Sequence, residues 1–393
     1  MEFSCLTRLV KLDLSNSWDL RIENPNLFTL FRNLSRLTEL YLDFVNISAN
    51  GYEWGQVISS SLPNLRVLSL RSCYLSGPID SSLQNLQYLS EIDLSANNFS
   101  SPVPDFFANF ANLTVLILSD SEFYGTFPNI IFQRVQTLET LEFHEVSGFL
   151  PNGSLSTLDT LDLSHNKLQG PIPSYFFDFQ SLVTLDLSSN NFSGTIQLES
   201  KHRLQNLTHL DFSYNSLSVN ASISNSSLSS FPQLNTLGLA SCNLQKFPPL
   251  MNQSQLFYLD LSDNHISGVI PNWIWNLARG FQSNQFVGYL NLSCNFLVGL
   301  QSEYLIPTSL FDVIDLHSNQ LHGEIPIPPE SAFYVDYSRN NFSSSLSADI
   351  GNAIASAEFF FISDNMLSGP IPPSICNGSN RDINDSLALY PNV

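Results

Sequence analysis

A sixteen-residue segment, Leu158–Pro173 (LDTLDLSHNKLQGPIP), recurs in degenerate form along most of the chain. Leu161 and Leu163 lie two residues apart, so in an extended strand both point to one side and Asp162 points to the other. Successive copies are 20 to 31 residues apart, and fifteen can be aligned. One copy cannot bury its leucines alone, so neighbouring copies must stack. The second core position is filled in turn by Leu14, Leu42, Leu70, Leu94, Leu118, Phe143, Leu163, Leu187, Phe212, Leu239, Leu261, Leu292, Leu316, Tyr337 and Ile362.

This leucine spacing and period are typical of the leucine-rich repeat. The predicted fold is an α/β-type leucine-rich-repeat solenoid, a curved right-handed superhelix with one long parallel β-sheet and little regular helix. The run Gly170-Pro171-Ile172-Pro173 favours an extended return path after each strand, because proline disfavours helix at its own and the preceding position.

The repeats predict a single array over residues 1–376, followed by a polar non-repeat tail over 377–393. One junction near 138–158 is irregular. The unit at Phe143 lacks the polar corner residue and is followed by Leu163 after only 20 residues. This shortening indicates that the repeat has been altered there.

An asparagine follows most strands at a fixed distance from the core leucines. We expect its amide to turn inward at the corner and to bond backbone groups that the turn leaves unpaired. Cys73, Cys242 and Ser121 replace it as small, weakly polar residues. The predicted corner ladder is Asn97, Asn166, Asn190, Asn215, Asn264, Asn295, Asn319, Asn340 and Asn365.

The chain has 35 acidic and 15 basic residues, a formal net charge of −20. Such a surface repels nucleic acid and anionic membranes, so neither is an expected partner. It would attract a basic ligand, although solubility alone also explains an acidic surface.

The five cysteines show no C-x-x-C pair and no metal-ligand spacing, so they say little about the compartment. N-glycosylation motifs say more, and fourteen of them predict an extracellular route. They begin at Asn33, Asn46, Asn98, Asn112, Asn152, Asn191, Asn206, Asn220, Asn225, Asn252, Asn291, Asn341, Asn377 and Asn384. No signal peptide or transmembrane run accompanies them, which leads us to expect a fragment or a truncated gene product.

The outward side of the strands is the expected ligand-binding face of such a solenoid. Stacked carboxylates at Asp162, Asp186 and Asp211 would form a column that favours a cation or a basic side chain. The alternative is that aspartate is only the consensus residue of the repeat at this position. The candidate face comprises Tyr41, Arg71, Asp93, Glu142, Asp162, His165, Asp186, Asp211, Tyr214, Asp260, Asp263, Asp315, His317, Asp336 and Arg339.

No catalytic, cofactor-binding or metal-binding residue is predicted. The sequence has no G-x-S-x-G, phosphate loop or dinucleotide fingerprint, and His144-Glu145 has no second histidine at the spacing of a zinc helix. An open solenoid face also lacks the desolvated cleft that catalytic acids require. An enzyme is therefore not expected.

The returns LSGPID, LQGPIP, ISGVIP, LHGEIP and LSGPIP carry the plant-specific L-x-G-x-I-P form of the repeat. Together with NLSRLTELYLDFVNIS, ISGVIPNWIW, DLHSNQLHGEIPIPP and YVDYSRNNFSSS, they resemble plant receptor-like proteins of the Verticillium-wilt-resistance type, relatives of the Cf-type receptors. The resemblance covers about residues 1–376.

This resemblance implies a receptor on the extracellular face of the plasma membrane. The family senses a protein or peptide secreted by a pathogen and signals through a co-receptor kinase. The family also has a signal peptide, a cysteine-paired cap and a membrane helix, which this chain lacks, and a longer array where the Phe143 unit lies. Two alternatives stay open: a soluble inhibitor of a secreted hydrolase, similar to polygalacturonase inhibitors, and a non-functional truncated product.

Overall fold

In a computed structural model of the chain, the residues described are 6–22, 26–126, 128–150, 156–198, 204–220, 232–277, 279, 287–302, 306 and 309–380. They form two compact units, Met1–Pro232 and Gln233–Val393. The single array over 1–376 and the polar tail over 377–393 remain predictions, and residues 381–393 lie outside the described part of the chain.

Among the described residues of the first unit, nine short parallel strands form the main sheet, one in each repeat. Their middle residues are in register, so that Leu161 pairs with Leu185 and Leu185 with Leu210, and all three are fully buried. The strands are Lys11–Asp13, Glu39–Tyr41, Val67–Ser69, Glu91–Asp93, Val115–Leu118, Thr140–Phe143, Thr160–Asp162, Thr184–Asp186 and His209–Asp211.

The second unit contains six parallel strands of the same kind, so the described strands match the fifteen predicted repeats. The predicted leucine-rich-repeat fold is confirmed, because the second core residue of each repeat directly follows its strand or, at Leu118 and Phe143, is the last residue of the strand. The six strands are Thr236–Gly238, Tyr258–Asp260, Tyr289–Asn291, Val313–Asp315, Tyr334–Asp336 and Phe359–Phe361.

The return paths are extended, as expected from their glycine and proline residues, and several pair with one another. In the first unit four return strands form a second sheet: Ser147–Gly148, Lys167–Pro171, Asn191–Gln197 and Ser216–Asn220. In the second unit two pairs form, Ser267–Ile270 with Phe296–Leu300 and His322–Gly323 with Asn341–Phe342.

The described residues also include α-helices and 3-10 turns on the return side. The longest helix is Gly51–Ser61, where Asn50 and Glu53 form a capping box and the Asn50 side chain accepts the Glu53 amide at 3.1 Å. Among the residues that the structure describes, no helix is long and apolar enough to cross a bilayer. The other α-helices are Asn26–Phe31, Asn129–Arg134 and Ile350–Ala353, and the 3-10 segments are Ser81–Asn85, Asp105–Asn109, Ser174–Asp178, Ile274–Asn276 and Pro373–Asn380.

The nine corner asparagines link each repeat to the preceding one. The amide of Asn97 donates to the Leu70 carbonyl of the preceding repeat at 2.9 Å and to two carbonyls of its own turn at 2.9 and 3.0 Å. Its Oδ1 accepts the backbone amides of Cys73 (3.1 Å) and Leu75 (2.9 Å). In all nine, Nδ2 donates to a carbonyl of the repeat before.

The smaller corner residues make part of the same contact. The Ser121 hydroxyl donates to the Leu94 carbonyl at 2.9 Å, and the Cys73 thiol lies 3.0 Å from the Leu42 carbonyl. In the irregular unit at Phe143, the Val146 amide donates to Oδ1 of Asn166 at 2.7 Å. The next repeat therefore supplies the hydrogen bonds across this junction.

Candidate ligand-binding face

The outward side of the strands carries two columns of side chains, because residues on either side of a buried core leucine point the same way. We call these two columns the outer face. The column that contains Asp162 was predicted from the sequence, and the column two residues earlier, which contains Thr160 and His209, was not. The period-two alternation was the signal for it. Its members are Lys11, Glu39, Val67, Glu91, Val115, Thr140, Thr160, Thr184, His209, Thr236, Tyr258, Tyr289, Val313, Tyr334 and Phe359.

Four acidic residues are consecutive neighbours on the outer face of the first unit. Glu142 pairs with Asp162, Asp162 with Asp186, and Asp186 with Asp211 in the strand register. We call these four residues the acidic column. All four are half-buried, so their carboxylates are partly desolvated but remain accessible. Neighbouring strands are about 4.8 Å apart, which places like charges close together.

The aspartates of the column also have a local structural role. Oδ1 of Asp162, Asp186 and Asp211 accepts the backbone amide two residues further on, at 2.9, 2.9 and 2.7 Å. This contact closes the turn after the strand and explains why the repeat favours aspartate. One oxygen of each carboxylate is thus engaged in the turn, whether or not a ligand binds.

Burial and mutual repulsion shift the ionisation of the acidic column. Burial raises the pKa of Asp211 to about 6, and the negative charge of Asp186 adds to the increase. Burial likewise raises the pKa of Glu142, with the charge of Asp162 contributing. These two acids are harder to ionise than free carboxylates, so a nearby cation would stabilise their charged forms.

His209 partly neutralises the acidic column. Its Nε2 lies 3.7 Å from Oδ2 of Asp186. Burial opposes ionisation of Asp186, but the hydrogen bonds from His209 and Ser188 outweigh it, so the pKa of Asp186 is lowered. Burial also opposes protonation of His209, but Asp186 and the neighbouring Asp211 outweigh it and raise the histidine pKa.

The outer face of the second unit combines acids with aromatic rings. Tyr258 and Tyr289 stack across neighbouring strands, with ring centroids 4.5 Å apart and planes 8° apart. Tyr334 lies near Phe359 (5.8 Å) and Phe361 (5.8 Å). These rings provide a surface on which apolar or cationic side chains of a ligand can pack.

The predicted acids of the second unit differ in accessibility. Asp260 is buried, with only 5% of its surface exposed, and burial raises its pKa. Asp315 and Asp336 are half-buried neighbours in the register, and His317 is also half-buried. Asp260 is therefore a poor ligand contact, whereas Asp315, His317 and Asp336 remain available.

Four predicted residues lie at the turn after the strand, in left-handed backbone conformation. His165, Tyr214, Asp263 and Arg339 have φ values of 53°, 56°, 49° and 54°, and all four are exposed. The same φ recurs at this position in other repeats. The turn thus directs one side chain per repeat to solvent beside the outer face.

The first repeats contribute a different set. Nζ of Lys11 lies 4.4 Å from the Tyr41 ring centroid and 3.2 Å from Oε2 of Glu39. Arg71 lies 5.9 Å from the Phe44 ring and is exposed. Asp93 is half-buried, and burial raises its pKa. Lys11 and Arg71 therefore place positive charge on the first repeats. In the strand register, Ile117 lies between Asp93 and Glu142, the first residue of the acidic column.

Most of the predicted glycosylation sites are accessible. Asn46 and Asn291 are half-buried, and Asn291 lies on the outer face, where its Nδ2 is 3.3 Å from the Tyr289 hydroxyl. Outside the description lie Asn152, Asn225, Asn384 and the side chain of Asn377. The exposed sites are Asn33, Asn98, Asn112, Asn191, Asn206, Asn220, Asn252 and Asn341.

Comparison with known proteins supports the assignment of the fold. Two family models, both described as leucine-rich repeat, match residues 63–123 and residues 157–179, 181–201 and 255–277. Together with the strand register, these matches identify the chain as a leucine-rich-repeat protein.

The curated relatives of the chain include plant receptor-like proteins. Receptor like protein 24 of Arabidopsis thaliana is 32% identical over 381 residues, covering 82% of this chain and 43% of the relative. Receptor-like protein EIX2 of Solanum lycopersicum is 34% identical over 189 residues, covering 48% of this chain and 18% of the relative. The chain spans less than half the length of these relatives. They support a plant leucine-rich-repeat receptor-like protein, while the Verticillium-wilt-resistance type remains a prediction.

Solved structures with the same fold include receptor ectodomains. The plant peptide hormone receptor RGFR1 in complex with RGF2 is 25% identical, with a TM-score of 0.70 over 95% of this chain and 62% of that chain. The PEPR1–AtPEP1 structure is 25% identical, with a TM-score of 0.61 over 94% of this chain and 54% of that chain. The names of the two curated relatives and of RGFR1 describe receptors or receptor-like proteins.

Proposed function

We propose that the chain is the ligand-recognition part of a plant receptor-like protein and that the acidic column binds a basic peptide or a basic segment of a protein. The observation that supports this most strongly is the alignment of Glu142, Asp162, Asp186 and Asp211 on adjacent strands. Their summed charge, within a chain of net charge −20, attracts lysine and arginine side chains.

The geometry suits an extended ligand. A side chain recurs every ~4.8 Å across the strands, whereas alternate residues of an extended peptide are about 6.6–6.8 Å apart. A peptide that crosses the strands can therefore present a cation to every one or two repeats of the column. RGFR1, which shares this fold, is a receptor for a peptide hormone, and it provides a precedent for this class of ligand.

We further propose the origin of the ligand and the route of the signal. The resemblance to disease-resistance receptors supports a ligand secreted by a pathogen, a location on the extracellular face of the plasma membrane and a co-receptor kinase as the signalling partner. The exposed N-glycosylation motifs are consistent with this location.

The test is a triple variant, Asp162→Asn, Asp186→Asn and Asp211→Asn. Asparagine keeps the Oδ1 acceptor that closes each turn and removes the charge. All three changes create an N-x-S motif, so the protein must be produced without N-glycosylation. Peptides selected by the unmodified chain from a random linear library on phage should be rich in lysine and arginine. Their affinity for the triple variant should fall by about tenfold, with weaker salt dependence.

The control removes three acids from the returns of the same unit: Asp80→Asn, Asp105→Asn and Glu122→Gln. This variant loses the same formal charge away from the acidic column, so the selected peptides should bind it almost as tightly as the unmodified chain. Equal loss of affinity in both variants would indicate only a general charge effect. Unchanged affinity in the triple variant would refute the proposal.

A further inference from the structure

A thiol, an imidazole and two carboxylates lie on neighbouring repeats of the second unit, with the imidazole between the thiol and one carboxylate. Cys294 follows the strand Tyr289–Asn291, His317 follows the strand that ends at Asp315, and Asp336 ends the next strand. Cys294 is exposed, and the other three are half-buried. The sequence predicted three of them as ligand contacts but predicted no metal site, because the four residues come from three different repeats.

The imidazole of His317 is held between Asp315 and Cys294. Its Nδ1 lies 2.7 Å from Oδ1 of Asp315, and its Nε2 lies 3.6 Å from Sγ of Cys294. An ionised carboxylate can only accept, so Nδ1 donates to Asp315 and Nε2 is the ring nitrogen on the side of the thiol. A carboxylate in this position orients a metal-binding histidine and makes it a better donor.

We propose that Sγ of Cys294 and Nε2 of His317 bind a divalent metal ion of the zinc class. Zinc bonds of about 2.3 Å to sulfur and about 2.0–2.1 Å to nitrogen, at a tetrahedral angle, place these two atoms roughly 3.5–3.6 Å apart. The separation in the structure, 3.6 Å, matches this distance, and a small rotation of either side chain would direct both donor atoms at one ion. Thiolate and imidazole donors favour zinc over magnesium or calcium.

Two coordination positions remain for water or for a donor group of a bound ligand. The carboxylate of Asp336 lies near the imidazole, since one of its oxygens and one ligand atom each of Asp315 and His317 are all within 4.8 Å of one another. This negative charge stabilises a divalent cation at short range. A metal here would add a fixed positive charge and an open coordination site to the outer face of the second unit.

The two alternatives are a simple thiol–imidazole hydrogen bond and a site for a hard cation made by the carboxylates. Cobalt(II) distinguishes them, because cobalt bound to a thiolate absorbs strongly in the near ultraviolet and cobalt bound only to oxygen and nitrogen does not. The experiment uses the full chain with Cys5→Ser and Cys376→Ser. Among the described residues, these substitutions leave Cys294 as the exposed thiol. The thiols of Cys73 and Cys242 are buried in the core.

In this background we expect one equivalent of cobalt to produce the thiolate absorption and zinc to remove it. Cys294→Ser should abolish the absorption, His317→Gln should weaken cobalt affinity by about tenfold or more, and Asp315→Asn should weaken it by about tenfold. Circular dichroism verifies that each variant is folded, and Cys294 is exposed, so its replacement should leave the core intact.

The result that overturns the proposal is the absence of the absorption, or its persistence with unchanged affinity in His317→Gln. If cobalt binds without producing the absorption, and if this binding is lost in Asp336→Asn, the site is a carboxylate site and the thiolate–imidazole site is refuted. Neither result depends on peptide binding by the first unit, so the two proposals fail independently.

Discussion

Replacement of Asn97 by alanine tests how the corner asparagines hold the repeats together. The side chain of Asn97 makes five hydrogen bonds, and the two carbonyls of its own turn keep other donors when the side chain is removed. Within the described residues, the amides of Cys73 and Leu75 and the carbonyl of Leu70 have no other hydrogen-bond partner. The substitution therefore leaves two buried donors and one buried acceptor unpaired.

An unpaired buried polar group costs roughly 1–3 kcal/mol, and the freed space allows some relaxation. We therefore expect Asn97→Ala to lower the free energy of unfolding by roughly 2–4 kcal/mol. Urea titration followed by circular dichroism and by tryptophan fluorescence measures this, since the buried Trp54 lies in the same unit.

Asn190 provides the matched comparison. It accepts one amide, that of Leu168, at 3.0 Å, and all three carbonyls to which it donates have a second donor. Asn190→Ala should therefore cost only roughly 1–2 kcal/mol, and the half-buried neighbour Ser189→Ala should change stability by less than about 0.5 kcal/mol. Equal losses at Asn97 and Asn190, or no loss at either, would refute the argument from unpaired groups.

Two further substitutions test the acidic column and the long helix. Because the folded pKa of Asp211 is raised to about 6, the folded chain binds more protons than the unfolded chain between about pH 4 and 6, so this residue makes stability fall as pH rises through that range. Asp211→Asn should remove that fall and stabilise the unglycosylated protein at pH 7 by roughly 1–2 kcal/mol. Urea titration at pH 4.5 and 7.5 measures this. If the difference in unfolding free energy between the two pH values is the same in the variant as in the unmodified chain, the raised pKa of Asp211 is contradicted. A Cβ on Gly51 would lie 1.8 Å from the Pro78 carbonyl oxygen, so Gly51→Ala should lower the free energy of unfolding by roughly 1–3 kcal/mol in the same titration. The control Gln56→Ala, at an exposed position of the same helix, should change it by almost nothing, and equal effects of the two substitutions would show that the helix can shift away from Pro78.

The strands could be predicted from the sequence because their signal is local. Leucines two residues apart, repeated in frame, identify both the strand and its inward side, as at Leu161 and Leu163. The second sheet of return strands could not be predicted in the same way. Its pairs, such as Gln169 with Asn191, join residues of different repeats, and nothing in either return specifies its partner.

The helix at Gly51–Ser61 was not predicted, although Asn50 and Glu53 have the spacing of a capping box.

The candidate face was predicted only in part. The second outward column was not predicted because its residue type varies from repeat to repeat, whereas aspartate recurs in the first column. The role of that aspartate in closing the turn depends on contacts such as that of Asp162 with Ser164. Neighbours such as Cys294 and His317 depend on the stacking of repeats, which spacing along the chain does not reveal.

Hydroxyl-radical footprinting of the first unit, with and without a basic peptide selected by the chain, tests the central claim most directly. Three tyrosines have nearly equal exposure: Tyr214 at 53%, beside the acidic column, and Tyr88 at 56% and Tyr124 at 54%, on the returns. If the outer face binds the peptide, Tyr214 becomes protected from oxidation and the other two keep their rates. Protection of Tyr88 or Tyr124, with Tyr214 unchanged, would contradict binding on the outer face.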